Sequence, residues 1–240
     1  MAATPVNTKL NRLIAIMTAL RAPTGCPWDR EQTAASLKPY LLEEVYELLE
    51  AIDSRQPNDI RDELGDLLLQ VVFLARIHEE EGLFDIGDVA ESISSKLIRR
   101  HPHVFADADQ AGHKQRWEEI KQQERRRQGK PNLLAARIPK DLPALKQATK
   151  VTAKDKPENS EKVLANIDES LTELRGYLNF LQPSKALPAQ EYGKLLYAVV
   201  QLGALLQLDA EDVLRQKTAQ AIQQYDRQNQ TSSRQQLPSS

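Results

Sequence analysis

Glu43, Glu44 and Glu47 form an E-E-x-x-E run. Glu63 and Asp66 follow as E-x-x-D at the front of the otherwise apolar stretch DELGDLLLQVVFLARI, residues 62–77. Successive residues turn by about 100° on an α-helix. With Leu37 at zero, Leu37, Tyr40, Leu41, Val45, Leu48, Leu49 and Ile52 span an arc from about −60° to +120°. Glu44 falls inside this arc at about −20°, and Glu47 at its edge at about −80°. On the next helix, with Ile60 at zero, Glu63 falls at about −60° and Asp66 at about −120°, the sector shared by Phe73, Leu74 and Ile77. A short connection at Gln56-Pro57 makes the two helices antiparallel neighbours, so Glu44, Glu47, Glu63 and Asp66 converge on one seam.

Four anions in a partly dry seam repel one another and stay ionised only beside positive charge. No Lys or Arg falls on the matching face of either helix. A divalent cation is the natural partner. An all-oxygen donor set, with no His or Cys at useful spacing, points to Mg²⁺, with Mn²⁺ as a substitute, more than to Zn²⁺. Mg²⁺ commonly takes phosphate oxygens as further ligands, so a phosphorylated substrate follows. A di-iron helical bundle would need Glu-x-x-His pairs, and the sequence contains none. The competing reading of each acidic run taken alone is a solvated helix face.

The elements that must position these acids are helical throughout. Apolar residues recur at helical spacing over 6–21, 33–54, 58–81, 86–100, 108–128, 141–151, 158–181, 187–207 and 210–228, and alternating β-branched runs are absent. Asn58 is expected to cap the third helix, Gly82 to stop it and Asp209 to cap the last. Residues 22–30, APTGCPWDR, form a turn-rich loop before the acidic helix. The expected organisation is a catalytic helical module over 1–128, a linker over 129–157, a second helical module over 158–228 and a disordered Gln/Ser-rich tail over 229–240.

The second module echoes the first. ELGDLLLQVVFLAR at 63–76 aligns with EYGKLLYAVVQLGA at 191–204, and Leu42-Glu43-Glu44-Val45-Tyr46-Glu47 with Asp168-Glu169-Ser170-Leu171-Thr172-Glu173. In this alignment Ser170 replaces Glu44 and Lys194 replaces Asp66, so the second copy is expected to be degenerate and metal-free, kept for packing or dimerisation.

The bulk composition is that of a soluble globular protein, with 40% hydrophobic and 28% charged residues and a net charge of −2, which gives no general pull toward nucleic acid or anionic membrane. No run reaches the ~20 apolar residues of a membrane span, and no N-terminal signal pattern is present. The lone Cys26 cannot close an internal disulfide and has no activating base beside it, so it reads as structural and fits a reducing compartment. A cytoplasmic protein is expected, with no membrane or nucleic-acid partner.

The acidic runs resemble the signature of the MazG family, and the resemblance is wider than the acids. Gly25-Cys26-Pro27-Trp28-Asp29 with Gln32-Thr33 resembles the family's loop before the acidic helix. Lys96-Leu97-Ile98-Arg99-Arg100-His101-Pro102-His103-Val104-Phe105 resembles its stretch after the hairpin, and Trp117-Glu118-Glu119-Ile120-Lys121 the segment beyond. The similarity is dense over about 8–150 and traceable to about 228. It implies an all-α helical bundle of the NTP pyrophosphatase type. It also implies Mg²⁺-dependent hydrolysis of nucleoside triphosphates to the monophosphate and pyrophosphate, a nucleotide-pool housecleaning activity. Glu44, Glu47, Glu63 and Asp66 would be metal ligands, and Glu43 would orient water or support a ligand.

For the mechanism, Glu47 or Glu43 is the candidate for taking the proton from water, and the sequence does not choose between them. Lys96, Arg99 and Arg100 share a helix face and are candidate phosphate contacts, against an ordinary solvated helix end. Trp28 is a candidate to stack on base or ribose, against a role plugging the bundle end. His101 and His103 read more simply as turn residues and Trp117 as packing. The rival function is a regulatory module that senses nucleotides without turnover. The apolar helices around 195–206 exceed what one hairpin covers, so a homodimer or higher oligomer is expected.

Overall fold

A computed structural model describes residues 6–106, 113–129, 131, 133–154, 160–180 and 188–235. All regular structure among them is helical. Contacts divide the chain into two units, residues 1–121 and 122–240. No helix among the described residues is long and apolar enough to cross a membrane.

In the first unit, α1 (Val6–Arg21) leads through a short helix α2 (Pro27–Glu31) into α3 (Lys38–Ser54) and α4 (Pro57–Glu80), followed by α5 (Ile86–Arg100) and a single turn, α6 (Pro102–Phe105). The core is Met17, Leu37, Val72, Phe73 and Ile77, with Leu13, Ile14, Leu20, Leu69, Leu74 and Ile86 against it. Each large side chain so buried contributes about 1.5–3 kcal/mol. These residues hold α1 against the second half of α4. The first half of α4 is not buried: Leu64 is 50% and Leu68 41% exposed, although the all-round apolar sequence predicts burial.

The ends of these helices have local causes. α3 begins at Lys38, later than the expected 33. Thr33 and Ser36 exchange hydrogen bonds between backbone N–H and side-chain oxygen, at 2.9 and 3.1 Å, which holds a turn instead of a helix. Arg55, at φ 57°, makes the reversal into α4. The expected cap Asn58 is already helical: Gln56 is the N-cap and Pro57 occupies the first turn, where its missing N–H costs nothing. Gly82, at φ 71°, follows the C-cap Glu81 as expected. α5 carries a capping box, with Asp85 and Asp88 each accepting the other's backbone N–H, at 2.9 and 3.0 Å.

A further helix, α7 (His113–Arg127), runs across the division between the units. The second unit continues with a 3-10 turn, Leu134–Ala136, then α8 (Ala144–Thr152), α9 (Ser160–Phe180), α10 (Ala189–Leu205) and α11 (Ala210–Gln235). α9 and α10 pair as α3 and α4 do, and α8 packs on α10 and α11. The segment expected to link the modules thus contains a helix that packs within the second unit. Asp209 accepts the Asp212 backbone N–H at 3.3 Å at the start of α11, the expected cap. Of the segment expected as a tail, residues to 235 are helical and 236–240 lie outside the described residues.

Candidate active site

The α3–α4 hairpin brings one carboxylate oxygen each of Glu44, Glu63 and Asp66 within 4.8 Å of one another. Glu44 and Glu63 are half-buried, as their places within the apolar arcs predict, whereas Asp66 is exposed although its wheel position falls in the sector of Phe73, Leu74 and Ile77. Glu63 Oε2 is shielded from solvent and has no hydrogen-bond partner, an arrangement that calls for a positive ligand. Among the described residues no Lys or Arg is paired with these acids. An oxygen-only donor set with one buried, unpartnered oxygen fits a hard divalent cation.

Burial raises the Glu63 carboxyl above its ordinary value of 4.5, and the charges of Glu47, Asp66, Glu44 and Asp62 raise it further. Burial also raises Glu44, an effect that the hydrogen bond from Gln70 opposes and the charges of Asp66, Glu47 and Glu43 reinforce. Glu47 therefore lies near enough to act on both, but it is outside the three-way approach. Glu43 and Glu47 are exposed on α3.

Trp28 stands on the flank of the acidic face. Its ring meets Tyr40 edge-on, with centroids 5.8 Å apart, and Tyr40 lies one helical turn before Glu44. Half of Trp28 remains exposed. The loop bearing it is clamped from α1. Arg21 donates to the carbonyl oxygens of Asp29 and Gln32, pairs with Glu80 at 2.7 Å and lies 5.4 Å from the Phe73 ring centroid. Gly25 is pressed against the end of α1, where an added Cβ would collide with the carbonyl oxygens of Leu20 and Ala19.

The candidate phosphate contacts stand on a different helix. Lys96, Arg99 and Arg100 lie on α5, which packs on α4. Arg99 donates to the Ser95 carbonyl at 3.4 Å, and the Arg100 guanidinium lies 5.9 Å from the Trp117 ring centroid. Lys121 Nζ sits 4.1 Å from the same ring. No described contact joins these cations to the acidic trio. Sequence reasoning assigned no site role to two residues here. Gln70 lies four residues after Asp66 and seven after Glu63, a spacing that puts it on their face. Lys121 lies one turn beyond Trp117, the spacing of a neighbouring pair.

In the second hairpin, Lys194 Nζ donates to Glu191 at 2.9 Å and the Tyr177 hydroxyl donates to Glu173 at 2.9 Å. Both groups titrate higher for these bonds. An open cleft of about 580 Å³ is lined by Glu173, Tyr177, Gln190, Gly193, Lys194, Tyr197 and Gln201. An ammonium thus stands among the acids that remain.

Residues 32–105 match the MazG nucleotide pyrophosphohydrolase domain. The chain is 42% identical over 218 residues to the nucleoside triphosphate pyrophosphohydrolase/pyrophosphatase MazG of Thermotoga maritima, covering 89% of this chain and 82% of that protein. It is 42% identical over 220 residues to a nucleoside triphosphate pyrophosphohydrolase of Escherichia coli K12, covering 86% and 82%. A protein of the same name from Mycolicibacterium smegmatis is 43% identical over 145 residues, covering 59% of this chain and 44% of that one. With the acidic hairpin at the centre of the matched segment and the likeness running across both units, the chain belongs to the MazG family.

Proposed function

We propose that this protein hydrolyses nucleoside triphosphates to the monophosphate and pyrophosphate with Mg²⁺, clearing the nucleotide pool. The observation that carries this reading is the convergence of Glu44, Glu63 and Asp66 within 4.8 Å around a buried, unpartnered Glu63 oxygen. The printed activity of the relatives, nucleoside triphosphate pyrophosphohydrolase, supports it. Mn²⁺ suits the same oxygens.

Glu44, Glu63 and Asp66 would hold the cation, with Glu47 beside them adding negative charge. When bound, Mg²⁺ would supply Lewis-acid polarisation of phosphate oxygens. A water oxygen bonds to the α-phosphorus, the bridging bond to the β-phosphate oxygen breaks, and pyrophosphate leaves. Glu47 or Glu43, both exposed beside the trio, takes the proton from the water. Trp28 offers an exposed ring to the base or ribose from beside Tyr40, the residue one turn before Glu44. Lys96, Arg99 and Arg100 are assigned to the phosphates on charge and chemistry, Arg by its forked donors.

The second hairpin is assigned a structural, metal-free role, supported by the Lys194–Glu191 bond. A homodimer is supported by the exposed apolar residues of α4 and α10. The cytoplasm suits a lone Cys26 and a nucleotide substrate.

The deciding experiment incubates purified protein with nucleoside triphosphates and Mg²⁺ and resolves the products. Monophosphate with pyrophosphate is expected. Orthophosphate release would point to different bond cleavage, and Mg²⁺-dependent binding without product would replace the enzyme with a nucleotide sensor.

A further inference from the structure

Gln70 is the one buried polar residue in the second half of an apolar helix, 7% exposed between neighbours such as Leu69 and Val72. It lies on α4 one turn beyond Asp66, and its Nε2 donates across the hairpin to Glu44 Oε1 at 3.4 Å. Its own Oε1 is buried and has no partner. A half-satisfied amide is a poor core residue, and a leucine would pack there without an orphaned oxygen. The amide also has one sensible orientation, since its oxygen turned toward an ionised Glu44 would be repelled. A neutral donor can fix a carboxylate without neutralising it, whereas a lysine or arginine would take the place of a cation.

The internal repeat supplies an independent observation. In the second hairpin Gln70 corresponds to Ala198, and Glu44 to Ser170. Both halves of the cross-hairpin bond are absent there, although Glu173 and Glu191 retain the acids that match Glu47 and Glu63. Where the ammonium of Lys194 stands among the acids, neither the ligand nor its holder is present.

We propose that Gln70 is a positioning residue for cation binding, holding the Glu44 carboxylate toward Glu63 and Asp66. This rests on the reading of those three acids as a cation site. Residues that orient metal ligands typically change affinity about 10–100-fold when removed.

The test titrates Mn²⁺ into the purified 240-residue chain and follows the free-ion signal by electron paramagnetic resonance. Gln70→Met, close in volume but lacking the donor, is expected to weaken binding about 10-fold or more with helicity and thermal midpoint retained. In a Glu44→Gln background the same change is expected to cost nothing further. Turnover is expected to need more Mg²⁺ for half-maximal rate, with kcat recovered at saturating Mg²⁺. If Gln70→Met fails to fold, Gln70→Ala, the side chain found at the matching site of α10, takes its place. Wild-type affinity in a folded variant, or a loss that adds fully to that of Glu44→Gln, overturns the role. If the wild-type chain binds no Mn²⁺ in a Glu63-dependent way, the cation site itself is wrong and the role falls with it.

Discussion

Arg21 and Glu80 meet across 59 positions of sequence through Nη2 to Oε2 at 2.7 Å and Nε to both carboxylate oxygens at 3.1 Å. The hydrogen bond from Arg21 is the main reason that Glu80 titrates below its ordinary value of 4.5; burial opposes it and Arg76 adds to it. A folded-state value below the unfolded one means that the unfolded chain binds more protons as pH falls. The pair therefore stabilises the fold above about pH 4.5, and that contribution is lost as pH drops through the lowered value. Glu80→Gln is expected to lower the thermal midpoint at pH 7 and to converge with wild type as the pH falls well below 4.5. Parallel midpoint curves across that range would show that the pair contributes no pH-dependent stability.

How much of this was legible follows from where each signal resides. Glu44, Glu63 and Asp66 came from helical rotation alone, because a carboxylate inside an apolar arc has no local reason to be there. Glu47, placed by the wheel at the edge of the arc, stands outside the closest group. Arg21 was not legible, since its partner Glu80 is on a different helix and nothing local marks the pair. Gln70 drew no site role because an uncharged amide does not break an apolar pattern as an acid does. The start of α3 was missed because the Thr33–Ser36 exchange competes with a helix through side-chain bonds that periodicity does not register.

Glu44→Gln and Glu63→Gln keep the shape of the hairpin while removing charge from the seam. Each is expected to reduce turnover by more than the about 10–100-fold that loss of a group supporting a metal ligand costs. Glu173→Gln, in the second hairpin and already bonded to Tyr177, is expected to leave turnover near wild type. Equal loss in all three variants, measured as monophosphate release, would mean that the second hairpin takes part in the chemistry.

Lys194 is 48% and Glu191 40% exposed at the side chain, so their ion pair is a surface pair screened by solvent. Lys194→Met is expected to leave the thermal midpoint near wild type. Combining Ser170→Glu with Lys194→Asp restores to α9 and α10 the acids found in α3 and α4. Mn²⁺ stoichiometry is expected to rise above wild type. An unchanged stoichiometry would show that the second hairpin lacks more than those two carboxylates.

Gly25→Ala tests the loop that carries Trp28. Gly25 donates its backbone N–H to Ala22 at 2.7 Å, and Cys26 to Leu20 at 2.8 Å, so the loop cannot back away from α1 without losing those bonds. The added methyl would meet backbone oxygens, which do not rotate aside. The expected cost is about 1–3 kcal/mol in urea unfolding, with a raised KM from displacement of Trp28 against Tyr40. Wild-type values for both would show that the loop relaxes freely.

Leu64, Leu68 and Val71 form a stripe at i, i+4 and i+7 on α4, and Tyr192, Leu196 and Val199 form its counterpart on α10. All six are exposed in the single chain, and such apolar area is worth about 25 cal/mol per Å² when covered. A second copy would cover each stripe with the like stripe of its own chain, as a two-fold interface requires. The expected species in light scattering is therefore a dimer of the 27.1 kDa chain, with a thermal midpoint that rises with protein concentration. Leu68→Lys places a charge in the middle of the stripe on α4 and is expected to shift the population toward monomer. Because Leu68 lies on the helix that bears Glu63 and Asp66, the same variant asks whether the cleft needs its partner. Monomer with full turnover separates assembly from catalysis, and monomer without turnover joins them. A wild-type protein that remains monomeric at tens of micromolar would leave the stripes for some other cover.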